Sequence, residues 1–79
     1  MTTDYMTTHV VDARGLNCPM PIVRTAQLMK TLASGDVVEV TATDPGSVRD
    51  FAAWARTTGH TLLESSTDGG LYRFVLRHK

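Results

Sequence analysis

The spacing of apolar residues switches between two periods along this chain, and the order of those switches constrains the fold more tightly than any other feature. His9–Val10–Val11–Asp12–Ala13 is short and strand-favouring, and it runs into Arg14–Gly15–Leu16–Asn17, where Gly and Asn mark a turn. From Pro19 the period becomes helical. Ile22, Ala26, Met29 and Ala33 follow at spacings of four, three and four, with Thr25 and Leu32 flanking them. The pattern predicts a first helix from Pro19 to Ala33, stopped by Ser34–Gly35. Asp36 to Ala42 then alternates, with Val38, Val40 and Ala42 on one face and Val37, Glu39 and Thr41 on the other. Thr43–Asp44–Pro45–Gly46–Ser47 starts a second helix, in which Asp44 is placed to cap and Pro45 to open the first turn. Val48, Phe51, Ala52 and Ala55 form its apolar stripe, and Gly59 ends it. Thr61 to Ser66 reads as a third strand, Asp68–Gly69–Gly70 as a turn, and Leu71 to Arg77 as a fourth strand.

The order is therefore β-α-β-α-β-β. Two crossover helices between strands imply an α/β chain, an α+β two-layer sandwich with a mixed four-stranded sheet and both helices on one face. With 79 residues there is room for one modest core and no large enclosed cavity. A single domain over 9–79 is expected, preceded by a Thr-rich leader over 1–8 that carries no periodic pattern.

Lys and Arg total 8 against 8 Asp and Glu, which disfavours direct tRNA binding or any other association driven by phosphate contacts. The longest hydrophobic run, Phe51 to Ala55, is far short of the roughly 20 residues that span a bilayer. The first nine residues hold neither a basic nor an apolar signal segment, so a cytoplasmic protein with no membrane partner is expected. One Cys excludes an internal disulfide and a multi-cysteine metal site; no metal is expected.

That cysteine, Cys18, stands in Gly15–Leu16–Asn17–Cys18–Pro19–Met20–Pro21, immediately ahead of the first helix, at its N-cap or the residue beside it. Pro19 suits the first helical position, because the amide it lacks has no partner there anyway, and Pro21 is tolerated in the same turn. The unpaired amides and the positive end of the helix dipole then favour the sulfur anion, and a nucleophilic thiolate is expected. A buried, inert thiol is the competing reading. There is no second Cys to resolve a mixed disulfide, and His9, His60 and His78 read as surface residues, so neither dithiol exchange nor a Cys–His hydrolase follows. One activated thiol with no evident base suits a protein that carries something on sulfur, and persulfide is the natural cargo.

Met20, Arg24, Gln27 and Thr31 form a stripe opposite the predicted buried face of the first helix. An exposed Met20 beside Cys18 suits a docking surface, and Arg24 is placed to steer an acidic partner or to face a persulfide anion. Trp54 adjoins the apolar stripe of the second helix and reads as partly buried packing. Arg73 and Arg77 share one strand face and read as an ordinary solvated strand terminus.

At Gly15–Leu16–Asn17–Cys18–Pro19–Met20–Pro21 the chain resembles the TusA (SirA-like) family of sulfur carriers, whose signature is Gly-Leu-x-Cys-Pro-x-Pro. Asp12, Ser34–Gly35, Thr43–Asp44–Pro45, Arg49–Asp50 and Tyr72–Arg73–Phe74 through Arg77 resemble family positions in order and spacing, so the likeness covers residues 9–79. The resemblance implies sheet order 1-2-4-3 with the fourth strand antiparallel. It implies that Cys18 holds sulfane sulfur as a covalent persulfide, with no other cofactor, and passes it to another protein's cysteine. The donors it implies are rhodaneses or cysteine desulfurases and the acceptors DsrE-type proteins, in tRNA thiolation, molybdenum cofactor supply or dissimilatory sulfur oxidation. Within the family, the second helix is more similar to members from sulfur-oxidising bacteria. A non-catalytic RNA- or protein-binding module with an inert Cys18 is the alternative from another class, and a redox sensor that dimerises through Cys18 is a second.

Overall fold

Strand alternation builds the sheet, and the computed structural model, which describes residues 6–79, places it as read: β1 (His9–Ala13), β2 (Val37–Ala42), β3 (Thr61–Asp68) and β4 (Leu71–Arg77). The strand order is β1-β2-β4-β3, with β1 parallel to β2 and β4 antiparallel to both of its neighbours. The register sets up continuous rows. Val11 pairs with Val40 and Val40 with Phe74; Ala13 pairs with Ala42 and Ala42 with Tyr72. These rows form the face on which α1 (Met20–Met29) and α2 (Ser47–Thr58) lie, giving two layers. Val38, Val40, Ala42, Phe74 and Leu76 are fully buried there, with Met29, Phe51 and Ala55 contributed by the helices. The ring of Phe51 stacks on Phe74 at 4.6 Å and meets the edge of Trp54 at 6.2 Å, so Trp54 is the half-buried packing residue expected.

Both helices differ from their predicted limits. α1 stops at Met29, not Ala33, because local polar groups compete for its last turn. Thr31 and Leu32 donate their amides three residues back, to Leu28 and Met29, the Thr31 hydroxyl takes the Leu28 carbonyl, and Asp36 accepts the Ala33 amide. Its buried face is also turned by one residue: Pro21, Thr25 and Met29 are buried, whereas Ile22 and Ala26 are half-buried and Ala33 is exposed. Thr25 can sit in the core because its hydroxyl donates to the Pro21 carbonyl at 2.8 Å. In α2 the predicted stripe residue Val48 is 40% exposed and Ser47 is buried in its place, its Oγ without a hydrogen-bond partner among the described residues. Gly59, at φ 87°, closes α2 as predicted.

β3 runs two residues beyond Ser66, and the chain reverses through Gly69 and Gly70, both at positive φ, the geometry a two-residue hairpin turn demands. β2 begins at Val37 and not at Asp36. On the sheet face without helices, Arg73 pairs with Glu39 and Glu64, the two residues in register with buried Val75. Arg73 is thus an anchored strand residue and not a freely solvated one. Of the leader over 1–8, residues 1–5 lie outside the described residues, and Thr8 is held by its amide and hydroxyl to the Val37 carbonyl. No described helix is long and apolar enough to cross a membrane.

Candidate functional site

The parallel pairing of β1 and β2 ends at Ala13 and Ala42, and the loops that leave their carboxyl ends meet. The Gly15 amide donates to Thr43 Oγ1 at 2.9 Å, and the Cys18 amide donates to Asp44 Oδ2 at 2.6 Å. Gly15 itself has φ 79°, which a residue with a Cβ adopts only at a cost. Two hydrogen bonds therefore fix the cysteine loop to the loop that leads into α2.

Cys18 is exposed, as its position beside the helix start suggested, and the buried-thiol reading is set aside. It stands one residue outside the cap. Pro19, at φ −100° and ψ 18°, is the N-cap and not the first helical residue, because the Met20 amide closes a turn onto the Asn17 carbonyl. Met20 is therefore the first helical residue and Pro21 the second, buried in the first turn where no amide is missed. The Cys18–Pro19 peptide bond is cis.

The expected thiolate is corrected by two carboxylates. Cys18 Sγ donates to Asp50 Oδ2 at 2.6 Å, from the first turn of α2. That hydrogen bond, then desolvation and the negative charges of Asp50 and Asp44, push the Cys18 thiol above its ordinary range. Cys18 stands beside the amino end of α1, but a full negative charge in contact outweighs that end's dipole. At rest the sulfur is a thiol whose proton points at a carboxylate.

Asp44 does not cap α2. Its Oδ1 accepts from the Gly46 amide at 3.1 Å and its Oδ2 from Cys18, while Gly46 is the N-cap and no side chain caps this helix. The helix starts at Ser47 with Gly46 as its cap, so Asp44 lies two residues too early to cap and serves the cysteine loop. Pro45 and Gly46 form the turn between them.

Cys18 opens into a surface depression lined by Pro45, Gly46, Val48, Arg49 and Asp50. Met20, 42% exposed, and Arg24 line a different depression with Val10, Asp12 and Gln27 on the β1 side of α1. The structure thus separates Arg24 from the cysteine depression and puts Arg49 there. His60 and His78 meet at 4.8 Å beyond the carboxyl end of α2, the end opposite Cys18. Among the described residues no group of three or more His, Cys, Asp or Glu is placed to hold a metal ion. Val48, Arg49 and Asp50 are lining residues that sequence reasoning did not place at the site. The Arg49–Asp50 pair was visible only as a family position.

A family model described as Sulfurtransferase TusA matches residues 9–78. Over 67 residues, 85% of this chain and 88% of the relative, the sequence is 49% identical to the sulfur carrier protein TusA of Allochromatium vinosum. It is 39% identical over 77 residues to the sulfur carrier protein TusA of Pseudomonas putida, covering 98% of this chain and 96% of that one. Among solved structures, the SirA-like protein of Desulfitobacterium hafniense superposes with a TM-score of 0.78 at 25% identity, covering 87% of this chain and 95% of that chain.

Proposed function

The chain belongs to the sulfurtransferase TusA family, and from that premise we propose that it carries sulfane sulfur as a persulfide on Cys18 and hands it to a cysteine of a second protein. The observation that carries this reading is an exposed lone thiol, fixed at the amino end of a helix and open to a depression that a partner's cysteine can enter. In loading, Cys18 Sγ bonds to the outer sulfur of a donor persulfide. The donor's S–S bond breaks, its cysteine keeps the electron pair and takes up a proton, and Cys18 is left as Cys–S–SH. Unloading is the same exchange with the acceptor's thiol as nucleophile. Sulfur oxidation state is conserved overall, so no external oxidant or reductant is required.

The partners this implies are a donor of the rhodanese or cysteine desulfurase type and an acceptor of the DsrE type, in a relay that serves tRNA thiolation or dissimilatory sulfur oxidation. The protein turns over only with such partners. Met20 and Arg24 are proposed as partner contacts on the exposed face of α1, and Pro19 and Pro21 as the residues that hold the cysteine turn rigid.

The test is intact-protein mass spectrometry after incubation with polysulfide or a loaded rhodanese. The wild type gains the mass of one sulfur atom, reductant removes it, and Cys18→Ser gains nothing. Failure of the wild type to gain sulfur, while Cys18 still reacts with iodoacetamide, overturns the reading.

A further inference from the structure

We propose that Asp50 is a catalytic residue of the exchange: its carboxylate takes the Cys18 thiol proton as the sulfur–sulfur bond forms. This inference rests on persulfide transfer at Cys18 and adds the group that moves the proton. Its basis is geometric. The only thiol of the chain donates its hydrogen bond to Asp50 Oδ2 at 2.6 Å, and both groups line the same open depression. No histidine lines that depression, so none stands there to act as base.

The site presents a chemical difficulty that a proton acceptor resolves. A free thiolate at Cys18 would be an anion beside two carboxylates, Asp50 at the sulfur and Asp44 at the Cys18 amide. Neutral thiol, by contrast, is a poor nucleophile. As Sγ shares its electron pair with the incoming sulfur its basicity falls, and the proton crosses to Asp50 Oδ2 within the existing hydrogen bond. The bond between the donor's two sulfurs breaks, and the donor's cysteine sulfur leaves with the pair and receives the proton from Asp50. Every atom balances: one S–S bond breaks, one forms, and the carboxylate ends as it began. No free thiolate accumulates at any point.

Asp50 is well placed to stay in line. It stands in the first turn of α2, and the next residue, Phe51, is fully buried against Phe74. Among the described residues, the charged groups that face Cys18 are Asp44 from the loop after β2 and Arg49 and Asp50 from α2. α1 adds none in its first turn, where the residues are Met20, Pro21 and Ile22.

The mechanism makes a pH signature that a merely electrostatic role does not. With an internal acceptor, the reactants are neutral thiol and carboxylate, and the rate stays flat with pH across neutrality. Without it, the rate follows the thiolate fraction and rises tenfold per pH unit up to the thiol's own pKa. The probe is toluenethiosulfonate, a sulfane donor whose charge is constant from about pH 5 to 9, a window that contains the free-thiol value of about 8.5. Sulfur loading is followed by mass spectrometry, and iodoacetamide alkylation, which responds to the equilibrium thiolate fraction, is followed in parallel. Sulfinate leaves from this donor without a proton, so Asp50 releases its proton to water.

For Asp50→Asn the expected result is a split. Loading at neutral pH slows by about 10²-fold, the loss of a general base, and its pH profile acquires the tenfold slope. Alkylation at the same pH speeds up, because removal of the negative neighbour lets the thiol ionise more readily. Asp44→Asn removes a charge from the Cys18 amide and not from the sulfur, so loading slows with the loop it ties while the pH profile stays flat. Circular dichroism spectra and melts establish that each variant is folded. Faster loading together with faster alkylation in Asp50→Asn would reduce Asp50 to a charge that restrains the thiol and overturn the proposal. A tenfold slope in Asp44→Asn, or in the wild type, would do the same. A wild type that takes up no sulfur would instead overturn the carrier reading itself, and this proposal with it.

Discussion

Phe51→Ala is the substitution that bears most directly on the packing beneath the site. Phe51 is fully buried, stacked on Phe74 at 4.6 Å and met edge-on by Trp54 at 6.2 Å, so its ring is the main tie between α2 and the sheet. Phe→Ala in a core costs about 3–5 kcal/mol, the spread being set by how far the surroundings collapse into the void. Collapse is limited here, because Phe74 lies in a central strand paired on both sides and cannot move toward α2 without breaking its ladder. The lost ring pairs add to the cost, and the expected loss is about 4 kcal/mol. A domain of 79 residues has about 4–12 kcal/mol in total, so the variant should be marginal, with a melting midpoint lower by about 16–32 °C if it folds. Urea unfolding followed both by far-ultraviolet circular dichroism and by the fluorescence of Trp54, the single Trp, measures this. Coincident transitions with a loss under about 1.5 kcal/mol would show that Phe51 does not tie the layers together and would refute the packing argument.

Two further substitutions probe the charged groups. Arg73→Gln leaves Glu39 and Glu64 facing each other across β4, and since all three side chains are a quarter or more exposed (38%, 26% and 36%) the loss should be only about 0.5–1 kcal/mol. It should shrink in 1 M salt, where screening acts within about 3 Å, and an undiminished loss would point to packing over Val75 as its source. Arg14 holds the Asp12 carboxyl down at about 2 through a side-chain hydrogen bond. The pair's stabilisation is present above the unfolded carboxyl value and is lost as pH falls through about 2; both groups are exposed, so the signal to follow is the Asp12 carboxyl resonance in an NMR titration. Arg14→Gln should raise that midpoint toward 3.8, and a midpoint already near 3.8 in the wild type would mean that the pair does not form in solution.

Periodicity revealed the elements that pack one face on the core, and β1 is the clearest case: Val11 and Ala13 are buried while Val10 and Asp12 are exposed. It failed where a polar residue could satisfy itself internally. Thr25 was read as flanking the stripe of α1; a hydroxyl in a core normally costs free energy, yet bonding to the Pro21 carbonyl removes that cost and lets the helix turn by one residue. Ser47 takes the place of Val48 in α2 with no such compensation among the described residues, and nothing in local pattern signals it. Sheet order came from family likeness, since alternation alone does not say which strands are neighbours. The exposure of the thiol was legible because a cysteine between Asn17 and Pro19, at a loop-to-helix junction, has no helical face to turn inward. Asp50 was not, because its contact with Cys18 spans 32 positions and depends on how two loops meet.

The state of that thiol shows why local reasoning reached the wrong sign. A helix amino terminus offers about half a unit of positive charge, spread over the unpaired amides of its first turn. Here that field is thinned: Pro19 and Pro21 carry no N–H, and the Met20 amide already donates to the Asn17 carbonyl. Against the remainder stands a whole negative charge in hydrogen-bond contact with the sulfur, and the contact decides. The consequence reaches function. A bare thiolate would react with any electrophile it met, whereas in the proposed exchange a thiol held to a carboxylate stays quiet until an incoming sulfur lowers its basicity and draws the proton across. The loop after β2 and the first turn of α2, which supply Asp44 and Asp50, are therefore as much part of the proposed site as the Cys-Pro-x-Pro turn itself.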